Sequence, residues 1–384
     1  MIDIYSYDMV PLSDFLAEYK ELNTNNRFRP VAVGRYGIRT RESIYSKELA
    51  QDYSKNKLIY KDTLTVGMGS VQMDIGILTD DITCSVSPAY HTYRINGINC
   101  DYLRFCLQAR NADMFERYKK RGSRQGKSID LKAWLHYLIP VYEIDGQLQI
   151  VSTLHKIQSI IDDRMQQLQK LDDLVKARFV EMFGTLDNPA RQFEYFTLKE
   201  LCSKITDGKH GGCIQESGTQ RYFVGAREIY DDEVHYDTAP EISIADFEKD
   251  YKRCNLEIGD FLIVNTGATI GKSAIASDYR TEKTLLQKSV ALLKVKRELL
   301  DPVFLQWCYR VNANMYMVES ASAQPNLLLS KINSTKIYVP KIELQSQFSS
   351  FVEQVDKSKF VESIHVLKLI KEAIAKEVSH DRIR

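Results

Sequence analysis

Pro140-Val-Tyr-Glu143-Ile144-Asp-Gly-Gln147-Leu148 and Pro340-Lys-Ile-Glu343-Leu344-Gln-Ser-Gln347-Phe348 share the pattern P-x-x-E-[IL]-x-x-Q-[LF] at a displacement of 200 residues. Working outward, Leu103 and Cys106 match Leu305 and Cys308, Ser123-Arg-Gln125 matches Ser322-Ala-Gln324, and Lys61-Asp62 before Leu64 resembles Gly259-Asp260 before Leu262. Four blocks in one order at nearly constant spacing define a tandem duplication, the kind of self-similarity that decides a fold before any local reading. Each copy mixes short β-rich runs, such as Lys57–Tyr60 and Asp260–Val264, with Gly, Asn and Asp turns. A short helix is expected over Cys100–Tyr118 and another over Pro302–Val318.

A long helix follows each proline. From Leu148 to Phe183 there is no Gly or Pro, and apolar residues recur in steps of three and four through Leu154, Ile157, Ile161, Leu168 and Val175 until Gly184. At ~1.5 Å per residue that helix spans roughly 50 Å. A second is expected over Glu343–Val378, with Phe348, Val355, Leu367 and Ile374 on its stripe. Two helices of similar length and heptad-like spacing pair most simply as an antiparallel coiled coil. The fold expected is α+β: two tandem β-rich domains, each followed by a long helix, with pseudo-twofold symmetry. The divisions fall at residues 1–142, 143–189, 190–340 and 341–384.

Composition narrows the class. Among 384 residues, 44% are hydrophobic, 27% are charged and the formal net charge is +1, which excludes a disordered tail and a uniformly basic nucleic-acid coat. The near-zero total is a cancellation. Residues 1–142 carry 20 basic and 16 acidic side chains, residues 143–189 carry 5 and 8, and Glu228–Asp250 alone holds nine acids against one lysine. The acidic stretch is expected to face away from any polyanion. Seven cysteines without C-x-x-C spacing argue for buried thiols in a reducing compartment rather than disulfides or a zinc ribbon. Met1-Ile2-Asp3-Ile4 does not open a secretory signal, and no run reaches the ~18 apolar residues of a membrane helix. A cytoplasmic protein without a membrane partner is expected.

Two divergent β-rich domains, each followed by the Pro140 or Pro340 turn and a long helix, resemble the specificity subunit of type I restriction–modification enzymes. Glu181-Met-Phe-Gly184, Arg221-Tyr-Phe-Val-Gly225, Gly259-Asp260-Phe-Leu-Ile263 and Gly267-Ala-Thr-Ile-Gly271 carry further weight. The resemblance covers essentially the whole chain; Leu138-Ile139-Pro140-Val141-Tyr142 lacks the second proline often found there. It implies that residues 1–142 and 190–340 are target-recognition domains reading one half each of a split, asymmetric site in double-stranded DNA. It implies that the helices are spacers binding two modification (methyltransferase) subunits, with Pro140, Leu154, Ile161, Leu168, Val175, Pro340, Phe348, Val355, Leu367 and Ile374 as spacer or partner positions. It also implies that this chain binds no cofactor. S-adenosylmethionine for adenine methylation, and ATP and magnesium for cleavage, belong to modification and restriction subunits in phage defence.

Phosphate contact needs Lys and Arg, and base readout needs Arg, Lys, Asn, Gln or Ser/Thr within reach of a groove. The candidates are Arg27, Arg29, Arg35, Tyr36, Arg39 and Arg41, then Lys119, Lys120, Arg121, Arg124 and Lys127, and in the second copy Lys209, His210, Asn265, Thr266 and Lys272. A basic run is more often a solvated face, and a lone His210 more often an ordinary loop residue. Two basic runs in one candidate reading domain shift the balance toward DNA. Gly267-Ala-Thr-Ile-Gly271-Lys272-Ser273 is not a nucleotide-binding loop, because the position five before Gly271 is Thr266. N-P-P-Y, H-E-x-x-H, G-x-S-x-G and dinucleotide fingerprints are missing, and seven scattered histidines give no metal spacing. A reader that borrows its catalysis is the favoured reading. The alternative is a structural adaptor whose duplicated domains bind proteins on a coiled-coil scaffold.

Overall fold

The computed structural model describes residues 6–34, 37–41, 52–120, 128–316 and 326–359. The chain divides into two compact units with the boundary between Ile161 and Asp162.

In the first unit the opening strand β1 (Tyr7–Pro11) pairs antiparallel with β12 (Leu138–Tyr142), setting Tyr7 opposite Tyr142. Between them lies a four-stranded antiparallel sheet in the order β2-β9-β6-β7: β2 (Leu16–Tyr19), β9 (His91–Ile95), β6 (Thr63–Met68) and β7 (Met73–Ile77). Smaller pairs are the hairpin β3 (Val31–Gly34) with β4 (Gly37–Thr40), β5 (Lys57–Ile59) with β8 (Cys84–Val86), and β10 (Lys119–Lys120) with β11 (Ser128–Ile129). Helices α1 (Cys100–Ala109), α2 (Asn111–Tyr118) and α3 (Leu131–Trp134) complete the unit. The Asn99 side chain caps α1 by accepting from the Tyr102 N–H, and the helix buries Tyr102, Leu103, Cys106 and Leu107 on one face. That face packs with Leu64, Val66, Ile75, Tyr93 and Trp134.

Helix α4 (Ile144–Phe183) begins in this unit, where Val151 joins the core, and ends in the second, where Val175, Phe179, Met182 and Phe183 are buried. Gly184, at φ +76°, ends it; a Cβ there would collide with the Asn188 carbonyl.

The second unit repeats the plan. Strand β13 (Glu194–Thr197) pairs with β22 (Lys336–Val339), and a sheet runs in the order β14-β21-β18-β19: β14 (Cys202–Asp207), β21 (Val290–Val295), β18 (Phe261–Val264) and β19 (Ser273–Ile275). β15 (Tyr222–Val224) pairs with β20 (Thr284–Leu286), here in parallel, and β16 (Ile229–Tyr230) with β17 (Glu233–Val234). The helices are α5 (Leu198–Leu201), α6 (Ile244–Cys254), α7 (Pro302–Val311), α8 (Leu329–Ser334) and α9, described over residues 342–359. Alternation along β18 puts Phe261 and Ile263 into one core and Leu262 and Val264 into another, so the strand is buried on both faces. Phe179 and Phe183 each lie 4.9–5.7 Å from Phe304 and Phe348, ring centre to ring centre. Farther along α9, Lys359 pairs with Asp172 at 2.6 Å, so early residues of α9 meet late residues of α4.

Hydrogen bonds place the copies in register. Leu12 and Leu198 donate to the carbonyls of Tyr137 and Thr335; Asn96 and Lys296 donate to Phe15 and Leu201; Asp62 and Gly259, both at positive φ, donate to Leu78 and Ala276. These equivalences correct two details of the sequence match. Asp62 corresponds to Gly259 rather than Asp260. The buried partner of Gln147 is Gln345, whereas Gln347 is exposed, because a backbone carbonyl and not the proline letter fixes the position. The expected Cys100–Tyr118 helix is two helices broken at Arg110, and α4 starts at Ile144, running through the buried Gly146.

Of the spacer positions, Val175, Pro340, Phe348 and Val355 are buried, and Pro140, Leu154, Ile161 and Leu168 are half-buried; Leu367 and Ile374 lie outside the described residues. Truncating Phe348 to Ala removes the ring that faces Phe179, Phe183 and Trp307. It is expected to cost about 3–5 kcal/mol, seen as a lower urea midpoint for the second unit.

Candidate nucleic-acid interface

In the first unit the basic candidates sit on a short loop and the β3–β4 hairpin. Asn23, 2% exposed, organises the loop: its amide donates to the carbonyls of Phe28 (2.9 Å) and Tyr53 (3.3 Å), and its oxygen accepts from the Phe28 N–H. The Ser85 N–H donates to the Arg29 carbonyl, tying the loop to β8. Arg27 and Arg29 emerge exposed on either side of Phe28, with the Arg27 guanidinium 5.9 Å from that ring. On the hairpin Arg39 is exposed, while Arg41, half-buried at its end, lies 6.0 Å from the Tyr53 ring. Arg35 and Tyr36 fall outside the described residues, as do Arg121, Arg124 and Lys127. Lys119 and Lys120 are described and already paired, Lys119 with Glu116 at 2.6 Å and Lys120 with Asp130 at 3.3 Å.

In the second unit two loops carry the candidates. The loop after β14 is bound to α6 and to the segment just before it through acids of the Glu228–Asp250 stretch. Lys209 forms an ion pair with Asp250, the Ile214 N–H donates to Asp246 at 2.8 Å, and the Gly218 N–H donates to Glu241. Asp207 receives Arg253 of α6 and, at 3.0 Å, His210. Burial pushes the Asp207 carboxyl up, but the hydrogen bonds from Arg253 and His210 outweigh it and hold the group below the usual carboxylate range. The Asp250 hydrogen bond holds the Lys209 ammonium above its ordinary value. The acids expected only to face away from DNA therefore have a defined structural task in shaping this loop.

The second loop joins β18 to β19. Gly267 and Gly271, at φ +102° and +92°, turn the chain, and the Gly271 N–H donates to the Val264 carbonyl. Asn265 is 4% exposed, with its backbone bonded to Ser289 and Leu327, so it supports the turn; Thr266 reaches Asn326 at 3.3 Å. Lys272 is exposed at the far end. No cluster of His, Cys, Asp or Glu among the described residues could hold a metal, and none of the described helices is long and apolar enough to cross a membrane. All seven cysteines are free thiols; burial pushes Cys202 up to about 12.

Asn23, Glu241, Asp246 and Arg253 are loop-organising residues that the sequence does not single out; Asp250 stands there only in an Asp250-Tyr-Lys252 triplet that lacks the Pro-Asp pair of a nuclease. Asn23 carries only a turn signal, Glu241 and Asp246 only the charge of an acidic stretch, and Arg253 no signal of its own.

Residues 190–371 match the type I restriction modification DNA specificity domain. Two solved structures share the fold over nearly the whole chain. A type I restriction–modification S subunit from M. genitalium is 14% identical, with 98% of this chain and 96% of that one covered at a TM-score of 0.50. A chain from a structural study of complex assembly and conformational transition of the type I R-M system is 15% identical, with 95% of each covered at a TM-score of 0.52. No curated protein sequence matches the chain significantly. Over residues 190–371 the chain is thus similar to type I DNA specificity domains, and over nearly its whole length it has the fold of a type I S subunit.

Neutralising a phosphate with a lysine releases counterions, and each contact contributes ~0.9 to the slope of log K against log salt. If Lys272 meets a phosphate, Lys272→Ala is expected to flatten that slope by about 0.9 in filter-binding titrations on duplex DNA. Lys209→Ala should change it by much less, because Asp250 already answers that charge.

Proposed function

We propose that this chain is the DNA reader of a type I complex, recognising a bipartite asymmetric site and directing adenine methylation and restriction by partner subunits. The observation that carries the reading is one frame built twice with different attachments. Both units share first-to-last strand pairing, a four-stranded sheet and a capped helix. They differ in the segments inserted into that frame: a β3–β4 hairpin and an antiparallel β5–β8 pair in one, α6 and a parallel β15–β20 pair in the other. A common frame suits common partners, and different insertions suit different bases.

In this reading residues 1–142 and 190–340 each read one half-site. Arg27, Arg29, Arg39, Arg41 and Lys272 stand as phosphate or base contacts from the described loops. Lys209 and His210 sit on the loop after β14 and Asn265 and Thr266 on the β18–β19 loop, as further contacts or supports within the second unit. Helices α4 and α9 pair antiparallel as a coiled coil and receive two modification subunits. S-adenosylmethionine would be bound by those subunits, and ATP and magnesium by restriction subunits, in the cytoplasm.

Replacing residues 1–142 with the corresponding domain of another specificity subunit is expected to change one half of the methylated sequence and leave the other half intact. Methylome sequencing of the host reads both halves and the gap together. A change in both halves rejects modular reading.

A further inference from the structure

Two glutamines at equivalent positions share two contacts, and the second adds a third. The Gln147 amide donates to the Tyr142 carbonyl at 2.7 Å and accepts from the Asn99 N–H at 2.9 Å, with the residue 3% exposed. The Gln345 amide donates to the carbonyls of Pro340 at 2.7 Å and Leu299 at 3.0 Å and accepts from the Asp301 N–H at 2.9 Å, fully buried. Asn99 and Asp301 are the caps of α1 and α7, and their side chains are occupied by the first N–H groups of those helices. Each glutamine therefore joins three things: the end of the closing strand (its last residue Tyr142 in one unit, Pro340 just beyond it in the other), the first turn of the helix that follows, and the cap of the helix that packs on the sheet.

A buried amide that loses either partner is left with an unsatisfied dipole, which costs more than the bond contributes when made. The first turn of the long helix is consequently held at one rotation against its own unit. A helix of 40 residues magnifies any error at its root. About 10° there moves a point ~60 Å along by ~10 Å, against a rise of ~3.4 Å per base step.

We propose that Gln147 and Gln345 are positioning residues for spacer discrimination: by fixing how each long helix leaves its reading unit, they decide which gap between half-sites the assembled enzyme accepts. This rests on the bipartite reading above. The test uses the full-length chain assembled with its methyltransferase subunits. The DNA probes carry either a single half-site or both half-sites, with the gap native or altered by one base pair in each direction. Gln147→Leu is expected to change single-half-site affinity by less than about threefold while preference for the native gap falls about tenfold, within the usual range of coupling between sites. Gln147→Glu supplies a second readout. As a carboxylate it accepts from Asn99 but cannot donate to Tyr142; as a neutral acid it does both. Gap preference should therefore return as pH falls from 7.5 toward 5.5. If the wild type discriminates gaps and both variants discriminate equally well, this inference is overturned and the bipartite reading stands. If half-site binding and gap preference fall together without recovery at low pH, the residues are only structural and the inference is again overturned. A wild-type complex indifferent to the gap removes the bipartite reading and this inference with it.

Discussion

Everything in each unit depends on the pairing of its first strand with its last. β1 with β12, and β13 with β22, bring the entry and exit of the domain to one edge. The intervening chain is then free to vary, because neither its length nor its path alters where the long helix starts. The numbering records this freedom. The offset between equivalent residues is 186 at Leu12 and Leu198, 202 at Asn99 and Asp301, and 198 at Gln147 and Gln345. Insertions and deletions accumulate inside the loop of chain that the strand pair closes.

The two units defend their loops differently. In the first, a single buried asparagine supplies several hydrogen bonds to a segment with little core of its own. In the second, Asp246 and Asp250 of α6 hold the loop through the Ile214 N–H and Lys209, and Arg253 of α6 holds Asp207 at its base. Exposed ion pairs contribute little by themselves, but a network that also captures backbone N–H groups fixes a path for the chain. The same acids lower the net charge that the loop presents.

Much of the frame was legible in the sequence, and the reasons are local. The apolar steps through Leu154, Ile161, Leu168 and Val175 announce α4, and Gly184 announces its end, because both signals lie within a turn or two of the residues they govern. The start of α4 was not legible: Gly146 reads as a breaker, yet it sits buried in the first turn. The letters align Gln147 with Gln347 and not with Gln345, because they do not display which carbonyl an amide meets. The candidate surface was legible as composition and not as pairing. Lys209 meets an acid 41 residues away, and Lys120 meets Asp130 across the β10–β11 pair. No window of sequence displays such partners.

The strand closure also dictates an order of events during synthesis. Tyr7 emerges early from the ribosome but cannot find its partner until Tyr142 has followed, and Glu194 waits in the same way for Val339. Contacts so distant along the chain form slowly, because a large loop must close before they contribute anything. Through that interval the opening strand is an unpaired edge, with Met9 on it open to other chains. Each domain is sealed only as its long helix begins to leave the ribosome, so the strut is made at the moment there is a finished domain for it to carry.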